Sequence, residues 1–429
     1  MASSDRTVAK TKWIPLFIAV FIALVVDGMD LQLLNICLPV LKAEFALTQF
    51  EAGLLSSVTL IGMALGGLVA GVLADRIGRV KVTIISTVTF SFFTMLLGFT
   101  QTYWQFATVR FLSGFGIAAL FAIGTLLVAE YVPTEKRGVI MGTLQAGWSI
   151  GYIAAALLSA ALLETQGWRA LFILSVVPAI TSILILTRVK EPPGFLRQKQ
   201  AGAVAKGNEY RRIWQNPSVR SVFIFWAIAN TALQFGYYGA NTWLPSYLHT
   251  DLGLDLKNMS LYIAGTYTAM VAGKILAGFL ADRFGRKGIW MVGGLTTAVA
   301  MPLIVAYVNS ANAIFLMVAF GFLYAIPYAL LAAFMSESFP TGIRGTAVAS
   351  LSSVGKIGSI TAPAMVGFLA NNYSIGFGIG ILGIAYAVCA LVPGIFLKEK
   401  AFDPSSVESC EGDGVKMQPS GTRQCEQKG

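Results

Sequence analysis

Long apolar runs separated by short polar stretches make up most of this chain. Crossing a bilayer takes about 20 mostly apolar residues, each rising 1.5 Å through about 30 Å of hydrocarbon. Twelve runs qualify: 14–40, 52–74, 80–99, 103–128, 139–162 and 168–187, then 220–247, 259–281, 288–308, 312–335, 346–369 and 376–397. Very short links join helices 3 and 4 and helices 11 and 12. The longest polar stretch between runs, 188–219, contains Glu191-Pro-Pro followed by Lys, Gln and Arg, which suits a cytoplasmic linker. The predicted organisation is therefore an N-tail at 1–13, a six-helix bundle at 14–187 and that linker. A second six-helix bundle at 220–397 and a polar, disordered tail at 398–429 complete it. The fold class is an all-α membrane protein of twelve transmembrane helices.

Composition supports that pattern. Of 429 residues, 56% are hydrophobic and only 12% charged, about half the charge density of a soluble domain. Forty-four glycines in so apolar a chain fit close packing between membrane helices. A net charge of +10 would suggest nucleic acid as a partner if it lay on a soluble surface. Here the 31 Lys and Arg residues crowd into the tails, the linker and alternate short loops. Lys42, Arg169 and Lys257 fall on the opposite side, and Arg110, Lys274 and Lys356 inside spans. Positive charge collects on the cytoplasmic side, so both termini are placed there, in a bacterial inner membrane. The first run is too long for a cleavable signal peptide and lacks a small-residue cleavage site, so it is expected to be retained.

Candidate chemistry is sparse. Cys37, Cys389, Cys410, Cys425 and the single His249 show no metal-ligand or disulfide spacing. No nucleophile–base constellation or nucleotide loop appears, so the expectation is no enzyme, no metal and no cofactor.

The chain repeats itself. Gly71-Val-Leu-Ala-Asp-Arg-Ile-Gly-Arg79 recurs as Gly278-Phe-Leu-Ala-Asp-Arg-Phe-Gly-Arg286. Glu130-Tyr-Val-Pro-Thr-Glu-Lys-Arg-Gly138 recurs as Glu337-Ser-Phe-Pro-Thr-Gly-Ile-Arg-Gly345, at the same offset of 207. Two motifs sharing one offset indicate duplicated halves. These residues resemble the major facilitator superfamily over nearly the whole chain to about residue 397. The resemblance implies alternating access around a central site, with cytoplasmic gates at the repeated loops. Asp75, Arg76, Arg79, Glu130 and Arg137 in one half, and Asp282, Arg283, Arg286, Glu337 and Arg344 in the other, are the gating candidates. The same arginines also act as topology charges.

Gates repeat, whereas a cargo is recognised by groups that need not. Charged membrane residues without a counterpart 207 positions away are therefore informative. Asp27 faces Gln234 in this register, Asp30 faces Tyr237, Arg110 faces Met317, Lys356 faces Ser149 and Lys274 faces Gly67. Charge at mid-membrane costs roughly 2.5–3.5 kcal/mol on insertion scales, so such residues are functional candidates; for Lys274, snorkelling to the interface is the competing reading. Asp27 and Asp30 share a helical face and can lie level with Arg110. Burial and mutual repulsion oppose an ionised pair while Arg110 favours it, a competition that suits a proton carrier. A static Asp–Arg pair is the alternative.

Asp27-Gly-Met-Asp30 and Arg110-Phe-Leu-Ser-Gly-Phe-Gly116 are similar to helices 1 and 4 of the aromatic acid:proton symporter family. That resemblance implies proton-coupled import of a benzoate, hydroxybenzoate or muconate, with Asp27 and Asp30 coupling to protons. Val354-Gly-Lys-Ile-Gly358 departs from it, since Lys356 stands where an arginine is expected. Arginine grips a carboxylate as a planar fork and lysine as a point charge, and Lys356 together with Lys274 suits a muconate-like dicarboxylate. Helix 5 has no Gly-Pro pair of the kind drug exporters carry, which favours import. Gln145 and Trp148 on helix 5 are further expected cavity residues. So are Asn230, Gln234, Tyr237, Tyr238 and Asn241 on helix 7, and Tyr324 and Tyr328 on helix 10. The partners expected are a small carboxylate and the lipid bilayer, with no nucleic acid and a monomeric chain. Sugar-acid or sialic-acid uptake, proton-independent anion exchange and a non-transporting receptor remain as alternatives.

Overall fold

The computed structural model describes residues 13–132, 137–189 and 213–397. Residues 1–12 and 398–429 of the expected tails, and 190–212 of the expected linker, lie outside the described residues. So do the side chains of Asp75, Glu130 and Arg137. All regular elements among the described residues are helices. The first half comprises α1 (Trp13–Glu44), α2 (Gln49–Ile77), α3 (Arg79–Leu97), α4 (Tyr103–Tyr131), α5 (Arg137–Ser175) and α6 (Val177–Leu186). The second comprises α7 (Pro217–Ser246), α8 (Leu256–Phe284), α9 (Arg286–Tyr307) and α10 (Ala313–Tyr324), then α11 (Ile326–Glu337), α12 (Thr341–Asn372) and α13 (Ile375–Phe396). A π-helical turn, Tyr247–Asp251, prolongs α7.

Ten runs among the described residues are long and apolar enough to cross a bilayer, against the twelve expected. Two features account for the difference. Ile140–Leu186 runs for 47 residues, about 70 Å if helical throughout. Its backbone leaves helical geometry at Gly167 (φ 75°, ψ 171°), which divides it where helices 5 and 6 were expected to part. The 30-residue α7 carries Arg220, Asn230, Gln234 and Asn241 and is not counted by apolarity alone. Hydropathy also conceals two breaks. Expected helix 6 is interrupted at Val176, ahead of Pro178, and expected helix 10 at Ala325 (φ −94°, ψ −1°), ahead of Pro327. A proline ring disfavours helical backbone in the residue before it and removes one amide donor.

The repeated motifs acquire physical reasons here. Gly78 and Gly285, equivalent in the two loops, hold φ of 113° and 92°, which residues with a Cβ avoid. Glycines weld matching helix pairs in both halves. A Cβ on Gly66 would run into the carbonyl oxygen of Phe115, and one on Gly273 into that of Phe322. Gly114 and Gly321 likewise abut the carbonyls of Thr59 and Thr266. All four positions are matched by the 207 offset, so the duplication extends to backbone contacts that no motif search registers.

Burial follows the bilayer as solvent. Leu68, Phe279, Phe315 and Ile395 are exposed on the outside, while Asp30 and Arg110 are fully buried. On the face expected outside, the Gln49 amide donates to Asn371 Oδ1 at 2.9 Å and the Lys257 amide to Glu164 Oε1 at 3.2 Å. Both bonds join the two halves. Between them and the opposite face lies the polar interior.

Candidate functional site

Most of the interior site is built on the middle of α1, where Asp27-Gly-Met-Asp30 and Gln32 are buried. Gly28 permits this placement. A Cβ there would strike the backbone carbonyl of Trp148 on α5, and one on Gly151 would strike that of Val25. The two helices touch backbone to backbone, which sets Asp27 beside the Trp148 side chain.

The two carboxylates have separate environments. Asp30 is ion-paired with Arg110, whose Nη1 lies 3.0 and 2.9 Å from Oδ1 and Oδ2. Thr94 Oγ1 donates to Asp30 Oδ1 at 2.9 Å and sits 2.9 Å from Ser113 Oγ, and Arg110 Nε donates to Thr59 Oγ1 at 3.2 Å. Four helices thus surround one buried pair, and of its guanidinium only Arg110 Nη2 lacks a hydrogen-bond partner among the described residues. Bonds to the remaining groups are what make burying two charges tolerable. Asp27 differs: it is 1% exposed and neither oxygen has a hydrogen-bond partner of good geometry among the described residues. Asp30, the Trp148 indole and the Tyr238 phenol are among its polar neighbours. An ionised carboxylate in such a place bears a large desolvation cost.

Across from α1 stands an aromatic wall. Tyr237 stacks on Tyr328 with centroids 4.3 Å apart and on Tyr324 at 5.3 Å. Asn241 Oδ1 accepts from the hydroxyls of Tyr267 at 3.0 Å and Tyr324 at 3.1 Å, while its Nδ2 donates to the Tyr237 carbonyl at 2.7 Å. Tyr152 of α5 meets Tyr267 of α8 edge to face at 4.9 Å, so the wall bridges both halves. Gln234, Tyr238 and Tyr328 are half-buried along it. Asn230 is committed elsewhere, donating to the Leu351 carbonyl at 2.8 Å, and Gln145 is exposed.

The lysines occupy two seams between the halves. Lys274 Nζ lies 3.4 Å from Ser149 Oγ and 5.8 Å from the Tyr328 ring centroid. Lys356 Nζ lies over Gly67, 3.7 Å from where its Cβ would be. Neither ammonium has a carboxylate partner among the described residues. The gating candidates whose side chains are described lie apart from this interior. Arg286 pairs with Glu337 and lies 4.0 Å from Asp282, which is largely exposed. Arg344 Nε donates to the Phe339 carbonyl at 3.2 Å, Arg283 faces the Phe284 ring, and Arg76 is exposed.

Sequence reasoning missed Tyr152, Tyr267, Ser149, Gln32 and the hydroxyls around Arg110. Helical spacing held a signal for two of them, since Tyr152 follows Trp148 by four positions and Tyr267 precedes Lys274 by seven. An apolar groove between α9 and α13, lined by Val299, Pro302, Gly380 and Ile384, has no polar side chain and lies away from these charges.

The sequence profile described as Major Facilitator Superfamily matches residues 20–270 and again 250–420. A cis,cis-muconate transport protein of Acinetobacter baylyi is 46% identical over 396 residues, spanning 91% of this chain and 96% of that protein. A probable 4-methylmuconolactone transporter of Cupriavidus pinatubonensis is 29% identical, with 85% and 86% covered. Among solved structures, a D-xylose-proton symporter superposes with a TM-score of 0.77 at 21% identity, covering 91% of this chain and 99% of its own.

Proposed function

Because this chain belongs to the major facilitator superfamily, a family of multi-pass membrane transporters and not of enzymes, we propose that it imports a small organic carboxylate together with protons. The cargo class is an aromatic or muconate-like acid. The similarity to a cis,cis-muconate transport protein over nearly its whole length supports that class. So does an interior that sets stacked phenols beside the Lys274 ammonium, groups suited to a planar acid. The location we assign is the bacterial inner membrane, as a monomer with both termini cytoplasmic.

One observation carries the coupling: Asp27, buried with no hydrogen-bond partner of good geometry among the described residues, next to Asp30, which is fully engaged by Arg110. In this reading Asp30 and Arg110 are a fixed electrostatic frame and Asp27 is the group that loads and unloads. A proton taken from outside neutralises Asp27, and Lys356 attracts the carboxylate of the cargo. A bare anion entering against a negative-inside potential meets about 2.3 kcal/mol per charge per 100 mV. One proton per monoanion removes that opposition, and a dianion requires a second.

Uptake of labelled cis,cis-muconate and benzoate into proteoliposomes tests this. Accumulation should rise as external pH falls and vanish with an uncoupler. Asp27→Asn should abolish accumulation against a gradient yet retain counterflow exchange. Accumulation indifferent to pH and uncoupler, or undiminished in Asp27→Asn, would refute the coupling.

A further inference from the structure

The two membrane lysines are related through the duplication. The 207 offset makes Lys274 equivalent to Gly67 and Lys356 equivalent to Ser149. In three dimensions, Lys274 Nζ is 3.4 Å from Ser149 Oγ, and Lys356 Nζ lies over Gly67. Each ammonium therefore meets the repeat-equivalent of the other lysine. The seam of α2 with α12 and the seam of α8 with α5 are exchanged by the pseudo-twofold axis of the duplicated halves. One cation sits in each. Snorkelling does not explain Lys274, whose ammonium points at a buried serine of the opposing half and at the face of Tyr328.

We propose that Lys274, positioned by Ser149, binds a second carboxylate of the cargo, so that the carrier selects planar dicarboxylates over monocarboxylates of the same length. The inference rests on the carboxylate-carrier reading above. Lys356 receives one end and Lys274 the other, and the chain between them passes the half-buried phenols Tyr328 and Tyr238. A flat, conjugated backbone fits such rings. A flexible saturated one gains less from them and loses more conformational freedom on binding.

Binding of cis,cis-muconate and of sorbate, the six-carbon diene with a single carboxylate, to purified protein separates these contributions. Wild-type protein should prefer muconate by at least about tenfold, the scale of one hydrogen bond to a charged group. Lys274→Met should bring the two affinities to within about threefold of each other, mainly by weakening muconate. Lys356→Ala should weaken both ligands. Lys274→Met combined with Ser149→Lys returns an ammonium to the same seam from the other wall and should restore most of the preference. The inference is overturned if Lys274→Met preserves the ratio, or if the ratio falls and the Ser149→Lys combination fails to recover it. Wild-type protein that binds neither ligand would remove the carrier reading itself, and this inference with it.

Discussion

Asp30 and Arg110 form a pair in which each charge depends on the other, because both are fully buried. Removing Arg110 leaves a carboxylate in hydrocarbon-like surroundings, where losing one partner costs about 3–5 kcal/mol. Arg110→Met should therefore lower the thermal unfolding midpoint in detergent markedly. Combining it with Asp30→Asn should recover much of the loss, which a merely steric effect would not do. At this scale the sequence exposed the charged residues well, since an ionisable group in an apolar run announces itself. It was silent on how Asp27 and Asp30 divide their roles, because that depends on Thr94, Ser113 and Thr59, hydroxyls drawn from three other helices. Tyr152 and Tyr267 escaped for a similar reason: a phenol in an apolar run looks like packing until its neighbour across the interface is known.

Helices and their joints show where local sequence rules suffice. The glycine of each Asp-Arg-x-Gly-Arg loop occupies left-handed backbone, so a methyl there costs about 1–2 kcal/mol. Gly288, in the first turn of α9 with open space around it, is the natural control. Gly285→Ala should lower the unfolding midpoint clearly more than Gly288→Ala, and equal effects would remove the backbone argument. Span positions were legible because hydropathy integrates over many residues. The same averaging erased the interruptions at Val176 and Ala325, which rest on Pro178 and Pro327 and alter only a residue or two. Membership of α7 among the spans needed its polar side chains to be read as interior rather than as a loop.

For the molecule as a whole, duplication was visible in two motifs, but the way the halves meet was not, since inter-half contacts pair residues hundreds of positions apart. The seam on the face expected outside is closed partly by missing side chains. A Cβ on Gly53 would collide with the carbonyl of Pro363, and one on Gly367 would crowd Gln49. Gly53→Leu should keep that face from closing. A cysteine at Asn371, in a chain whose own cysteines are replaced by serine, should then react several-fold faster with a membrane-impermeant thiol reagent; an unchanged rate would show that the seam closes by other means. The break at Ala325 has its own mechanical meaning. Below it, α11 is one unbroken piece of 12 residues, roughly 18 Å long, with Tyr328 near its upper end and Glu337 at its lower end, where it holds Arg286. A helix without a break couples its two ends, so any tilt at Tyr328 carries the Arg286–Glu337 pair with it, and the two cannot shift independently.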